Sequence, residues 1–310
     1  MMRNLTLLAI LLMFLLSSKH IEADLRVGFY HDKCPSAEAI IRYEVSIAFS
    51  SNRGIAPGLV RLHFHNCFVR DQSLTNQAEK DGPPNGISSR GLEVIDNAKA
   101  RLEASCKGTV SCADILAYAA RDSIVLTGGL YWDVPAGRRD GRISNASETV
   151  DIADKGLSQD DMVALLGMSE VHAHTIGRSH CTSFANRLYS FNSTTSQDPK
   201  LNPVLAQFLK QQCPRNAQGA VSQTDVVFMN PTPNLMDSSY YGNLFQRNGL
   251  FTSDQTLLDS QKTTRQVAFY AAQGLAWQIN FVQAMIKMSQ IQVLTGTQGE
   301  IRVNCRVINP

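Results

Sequence analysis

Five of the seven histidines fall in two short groups, and both groups hold residue types suited to acid–base or metal chemistry. The first is RLHFHNCFV at 61–69. On a helix, Arg61 and His65 stand at i and i+4 and share a face, Phe64 lies beside that face, and His63 points elsewhere. A guanidinium, an imidazole and an aromatic ring converging on one spot form an acid–base site. The same pattern also fits a partly buried helix with one hydrogen-bonded histidine and an arginine whose stem lies along apolar surface. The second group is VHAHTIGRSHC at 171–181. His172, His174, His180 and Cys181 have the types of a zinc site. Against zinc, Thr175 and Gly177 interrupt the stretch, and Cys181 is better used in a disulfide. A single histidine can instead be an axial haem ligand, which needs a carboxylate from elsewhere in the chain on its other ring nitrogen.

The elements that must position these groups read as helices. Apolar spacing predicts helices at 36–50, from Pro57 through Phe68, at 92–102 and at 111–127, the last closed by Gly128 and Gly129. Ser158 and Asp161 resemble a capping box before a helix at 162–167. Further helices fit 202–212, 263–272 and 277–291. Period-two runs are nearly absent, and long connections cover 132–147 and 213–234. The reading is all-α with little or no β, in one folding unit.

Composition narrows the function classes. The chain has 310 residues, 44% hydrophobic and 18% charged, which excludes a disordered polypeptide. Its 29 basic and 27 acidic residues leave a formal charge of +2, too small a field to favour nucleic acid. Residues 1–23 combine Arg3, an apolar run from Leu5 to Leu16 and a small-residue end at Ala23. This is a secretory signal peptide, so the expected product is an exported, soluble domain over 24–310 with no membrane attachment after cleavage. Export places the seven cysteines in an oxidising compartment, where the odd count leaves one over. Two sequons, at Asn145 and Asn192, fit surface loops of a glycoprotein.

Several longer motifs occur in order along the chain: RLHFHNCFVR, EVIDNAKARLEASCKGTVSCADILAYAARD, VPAGRRDGR, AHTIGRSHC, RLYSF, YYGNL, GLFTSDQTLL and AMIKMSQIQVLTGTQGEIRVNCR. Together they resemble the secreted plant haem peroxidases (class III), over essentially the whole mature chain. The resemblance implies an all-α, two-lobed fold with haem b between distal and proximal helices. It implies reduction of hydrogen peroxide and one-electron oxidation of small phenolic donors by a monomer in the cell wall or apoplast. The other function class is a catalytically weakened, haem-binding or structural wall protein of the same fold.

The resemblance also assigns roles. His65 matches the distal base, Arg61 the distal cation, Phe64 the distal pocket, Asn85 the acceptor of the distal histidine's hydrogen bond and Glu79 a carboxylate supporting that network. His174 matches the iron ligand and Asp254 the carboxylate paired with it, leaving His172 structural. Family pairing would join Cys34 to Cys106, Cys112 to Cys305 and Cys181 to Cys213, with Cys67 as a free thiol. A proximal calcium would use Thr175, Asn230, Thr232, Leu235 and Asp237, although Asn230 replaces the usual aspartate. The loop after Cys67 is shorter than the family pattern. Its distal calcium site is degenerate, with only Asn66, Val69, Asp71 and Ser73 remaining, and one calcium at most is expected.

Overall fold

The computed structural model describes residues 25–68, 89–142, 174–291 and 293–310, with side chains left out at 66–68. The leader at 1–23, the helix expected at 162–167 and His172 lie outside the described residues. So do Glu79, Asn85, Val69, Asp71, Ser73 and the side chains of Asn66 and Cys67.

Four helices build the N-terminal half. Helix α1 (Ala37–Ser51) buries Ala37, Ile41, Glu44 and Val45, one stripe at 3.6-residue spacing. Helix α2 (Ile55–Phe68) carries RLHFH. It starts two residues before Pro57, which falls in the first turn, where its missing N–H costs nothing. Helix α3 is Leu92–Ser105 and helix α4 is Cys112–Leu126. The start of α4 is capped twice: Ser111 accepts from the Asp114 N–H, and the Asp140 carboxylate accepts from the N–H groups of Cys112 and Ala113. These are orphan donors of a first turn, and their satisfaction fixes where the helix begins.

Asp114 lies on α4 with no exposed surface. It accepts from Tyr30 Oη at 2.6 Å, Gly137 N at 2.8 Å and Arg138 Nη1 at 2.7 Å. A carboxylate removed from water needs this many donors to remain ionised. The network joins the segment before α1, helix α4 and the segment after it. Arg138 also donates to the Ser289 carbonyl, near the end of the last helix.

The C-terminal half starts with strand β1 (Arg178–His180), paired antiparallel with β2 (Val226–Phe228) so that Ser179 faces Val227. Among the described residues this two-stranded ribbon is the one sheet. Helices α5 (Ala185–Tyr189) and α6 (Pro203–Gln212) cover a satellite core of Phe184, Leu188, Leu201, Leu209 and Leu250. Asn202 caps α6 through the Val204 N–H, with Pro203 as first helical residue. Helices α7 (Ser239–Phe245), α9 (Gln261–Ala272) and α10 (Gly274–Met288) complete the main core with α1 to α4, and the short α8 (Thr252–Gln255) buries Asp254 and Gln255. Three disulfides tie these parts: Cys34–Cys106, Cys112–Cys305 and Cys181–Cys213, the pairings the resemblance implies. Among the described residues, no helix is long and apolar enough to cross a membrane.

The buried network makes a testable contrast. Arg138→Met leaves the Asp114 charge without its cation and should lower unfolding free energy by about 3–5 kcal/mol. The Lys200–Asp259 pair is half-exposed, and Lys200→Met should cost less than about 1 kcal/mol. Urea unfolding of both variants checks this, and equal losses would overturn the ranking.

Candidate active site

The distal half of the site rests on α2. Gly58, Arg61, Leu62, His65, Ser89 and Arg90 line one small concavity. Two glycines make it possible. A Cβ on Gly58 would stand 2.8 Å from the Arg90 carbonyl oxygen, and one on Gly91 would stand 2.9 Å from Leu59 Cδ2. Gly91 also has φ +93°, a conformation that favours glycine. The backbone at 90–91 therefore lies directly against the helix that presents Arg61 and His65. Arg61 stays exposed, yet the surrounding atoms strip enough water to lower its pKa. His65 is buried, with Phe64 against it, ring centroids 6.0 Å apart.

His63 takes the opposite face. It is buried, and its Nδ1 has no hydrogen-bond partner among the described residues. Burial, with the Arg138 charge nearby, pushes its pKa down to about 3. It is a buried residue held neutral, off the face shared by Arg61 and His65.

The proximal half centres on His174. Its Nδ1 lies 2.7 Å from Asp254 Oδ1, across 80 residues of chain. Asp254 stands in α8, and its Oδ2 accepts the Phe251 N–H at 2.8 Å. Tyr240, on α7, donates its hydroxyl to the same Oδ1 at 3.0 Å. Burial and the charge of Asp254 raise the Tyr240 pKa well above the ordinary phenol range, so the hydroxyl keeps its proton. The Phe251 ring packs on the imidazole at 4.9 Å. Arg187, buried on α5, is held by Asp198 and donates to the carbonyls of Gly249 and Phe251. That clamp fixes the turn from which Asp254 projects. Tyr240, Phe251 and Arg187 had no role in the sequence reading. Their only signal was membership of YYGNL, GLFTSDQ and RLYSF.

Beyond His174 the chain turns at Gly177, φ +107°, where a Cβ would meet Pro57 Cβ at 3.1 Å. The proximal segment and the first turn of the distal helix thus touch. Thr175 donates to the Asp237 carbonyl, and Thr232 donates to Asp237 Oδ1 at 3.1 Å. Asn230 gives its amide N–H to the Thr175 carbonyl and accepts the Thr232 N–H at 2.7 Å. Leu235 enters through its backbone, its carbonyl accepting the Asp237 N–H at 2.9 Å. The five residues expected around a proximal calcium are therefore gathered, with Asp237 the one carboxylate among them. Among the described residues, no group of three or more His, Cys, Asp or Glu side chains could hold a metal. Cys181, the thiol considered for zinc, is spent in a disulfide.

A histidine whose Nδ1 is engaged by a buried carboxylate presents Nε2 as its ligating atom, and the His174 side chain is 36% exposed while Asp254 is 2% exposed. Half-buried Leu62, Phe64 and Phe251 add apolar surface beside the two histidines. This donor set and surface fit a haem group in a helical protein.

The comparisons agree with that class. The family model described as peroxidase matches residues 41–273. The chain is 54% identical to Peroxidase 5 of Vitis vinifera, covering 96% of this chain and 95% of that one. It is 46% identical to Peroxidase 1 of Zea mays, covering 99% and 89%. It is 42% identical to Peroxidase 25 of Arabidopsis thaliana, covering 97% and 96%. The chain belongs to the peroxidase family. Membership implies haem and commonly calcium.

His63 gives a pH prediction. The unfolded chain protonates this imidazole below its ordinary pKa of 6.5, while the folded chain does so only near 3. Stability from this group is complete above 6.5 and falls as pH drops toward 3, by up to about 1.4 kcal/mol per pH unit. His63→Gln should flatten the pH dependence of unfolding free energy in that window. An unchanged slope would show that His63 is not buried neutral.

Proposed function

We propose that this peroxidase reduces hydrogen peroxide and oxidises small phenolic donors in one-electron steps. The observation that carries the reading is the buried carboxylate of Asp254 on Nδ1 of His174, because a ligating imidazole needs such a partner. Full-length likeness to named plant peroxidases supports it. Haem b, when bound, would supply the redox-active iron through which electrons taken from the donors reach peroxide.

The residues of this chain would divide the work. His174 holds iron through Nε2, and Asp254 orients the ring and makes it a stronger donor. His65, as a neutral imidazole, takes the proton from one peroxide oxygen and delivers it to the other. Arg61 keeps its charge beside that site and stabilises negative charge as the oxygen–oxygen bond breaks. Phe64 and Leu62 exclude water from the imidazole. Asn85 would fix the tautomer of His65, with Glu79 supporting it.

We propose one calcium at the proximal cluster, through Thr175, Asn230, Thr232, Leu235 and Asp237. All donors are hard oxygens, as calcium requires. Asn230 brings no charge, and its amide must turn its oxygen inward, so this ion is bound more weakly than with a second carboxylate. We also propose export, cleavage near Ala23 and residence in the cell wall as a monomer, a reading supported by the leader-like run from Leu5 to Leu16.

Two variants test the assignments. His174→Ala should abolish stable haem binding and the Soret band, while His172→Ala should leave both nearly intact. The reverse result would move the ligand. His65→Leu should keep its haem but react with hydrogen peroxide about 10²–10⁴ times more slowly, the loss expected for a general acid–base. A wild-type rate in stopped flow would remove His65 from the role of base.

A further inference from the structure

The proximal carboxylate is shared more widely than a histidine–aspartate pair requires. Asp254 Oδ1 receives two donors, His174 Nδ1 at 2.7 Å and Tyr240 Oη at 3.0 Å, while Oδ2 takes the Phe251 N–H at 2.8 Å. Tyr240 and Asp254 are each 2% exposed, so water does not screen these bonds. The Tyr240 ring is set by packing. It stands nearly perpendicular to His174 at 6.3 Å and to Tyr241 at 5.1 Å. Tyr241 in turn packs on Tyr270 at 5.2 Å and Trp277 at 5.9 Å. The hydroxyl therefore has little freedom to leave the carboxylate.

We propose that Tyr240 is a positioning residue that sets how much negative charge Asp254 passes to the His174 imidazole, and thereby the reduction potential of the bound haem. The inference rests on His174 as the iron ligand. The physical argument concerns one oxygen atom. A donor bonded to Oδ1 draws electron density from it and weakens it as an acceptor for a second donor. His174 then keeps its Nδ1 proton more fully and carries less imidazolate character. A less anionic imidazole stabilises the oxidised metal less, so the potential lies higher than it would with His174 alone on that oxygen. The Phe251 N–H cannot serve as this control, because a backbone donor also fixes the start of α8. The strength of the phenol as a donor to this carboxylate can be changed by a side-chain substitution that leaves the histidine in place.

The test is the midpoint potential of the haem-loaded protein, measured by spectroelectrochemistry. Tyr240→Phe keeps the ring in the aromatic stack and removes the donor, so its potential should move to more negative values. A chain carrying 3-fluorotyrosine at 240 has a stronger donor of nearly the same size, so its potential should move to more positive values. Tyr241→Phe alters the neighbouring ring of the same stack and should leave the potential in place. Shifts of opposite sign at 240 support the proposal, since loosened packing would not reverse sign with donor strength. No shift in either chain, or an equal shift in Tyr241→Phe, overturns it. If Tyr240→Phe does not take up haem, the fluorotyrosine chain alone decides. Failure of the underlying reading looks different: His174→Ala would then retain haem with an unaltered Soret band, whatever the Tyr240 variants do.

Discussion

The buried carboxylate of Asp254 is the constraint on which the proximal half depends. Taking an ion of this size out of water costs several kcal/mol unless donors replace the solvent. Among the described residues the replacement includes the His174 imidazole, a phenol on α7 and a backbone N–H at the mouth of α8. None of the three can shift alone without leaving charge unpaired. Arg187 extends the same logic outward. It is fully buried, neutralised by Asp198 at 2.7 Å, and spends two donors on the carbonyls of the Gly249–Phe251 turn. One desolvated charge thus organises the satellite core, the turn and His174 together.

The distal half is held by a different means, close backbone approach. Gly58 and Gly91 let the chain at 90–91 sit against α2 at distances that any side chain would forbid. Helix α2 in turn lies on α4, whose first turn is satisfied by Ser111 and Asp140 and whose interior carries the Asp114–Arg138 pair. The two halves meet where Gly177 touches Pro57. That contact gives the His174 segment and the Arg61–His65 helix a common boundary, so each can act as a fixed reference for the other.

The loop around Asn230 is tied together by side-chain hydrogen bonds. The Asn230 amide bridges the Thr175 carbonyl and the Thr232 N–H, and Thr232 closes onto Asp237. The disulfides act on longer scales, with Cys112–Cys305 joining residues 193 apart and so restricting the unfolded chain most.

The sequence by itself determined what lies within a helical turn or two. The shared face of Arg61 and His65, the opposed face of His63, the Ser111 and Asn202–Pro203 starts and the all-helical character follow from period and capping chemistry, which are local. Likeness to a known family extended that reading to the His174–Asp254 pair and the three disulfides. Tertiary structure alone decided the rest. Helix α10 begins at Gly274 rather than 277, where the absent Cβ admits Ser238 Oγ, and it stops at Met288 in a tight turn rather than running to 291. Strand β2 formed within the 213–234 stretch read as a connection, because its partner β1 lies far off in the chain, with Ser179 and Val227 48 residues apart. Tyr240 reached Asp254 for a comparable reason. Which donors a buried carboxylate finds depends on elements brought together by folding, and a periodic pattern along one element carries no record of its neighbours across the core.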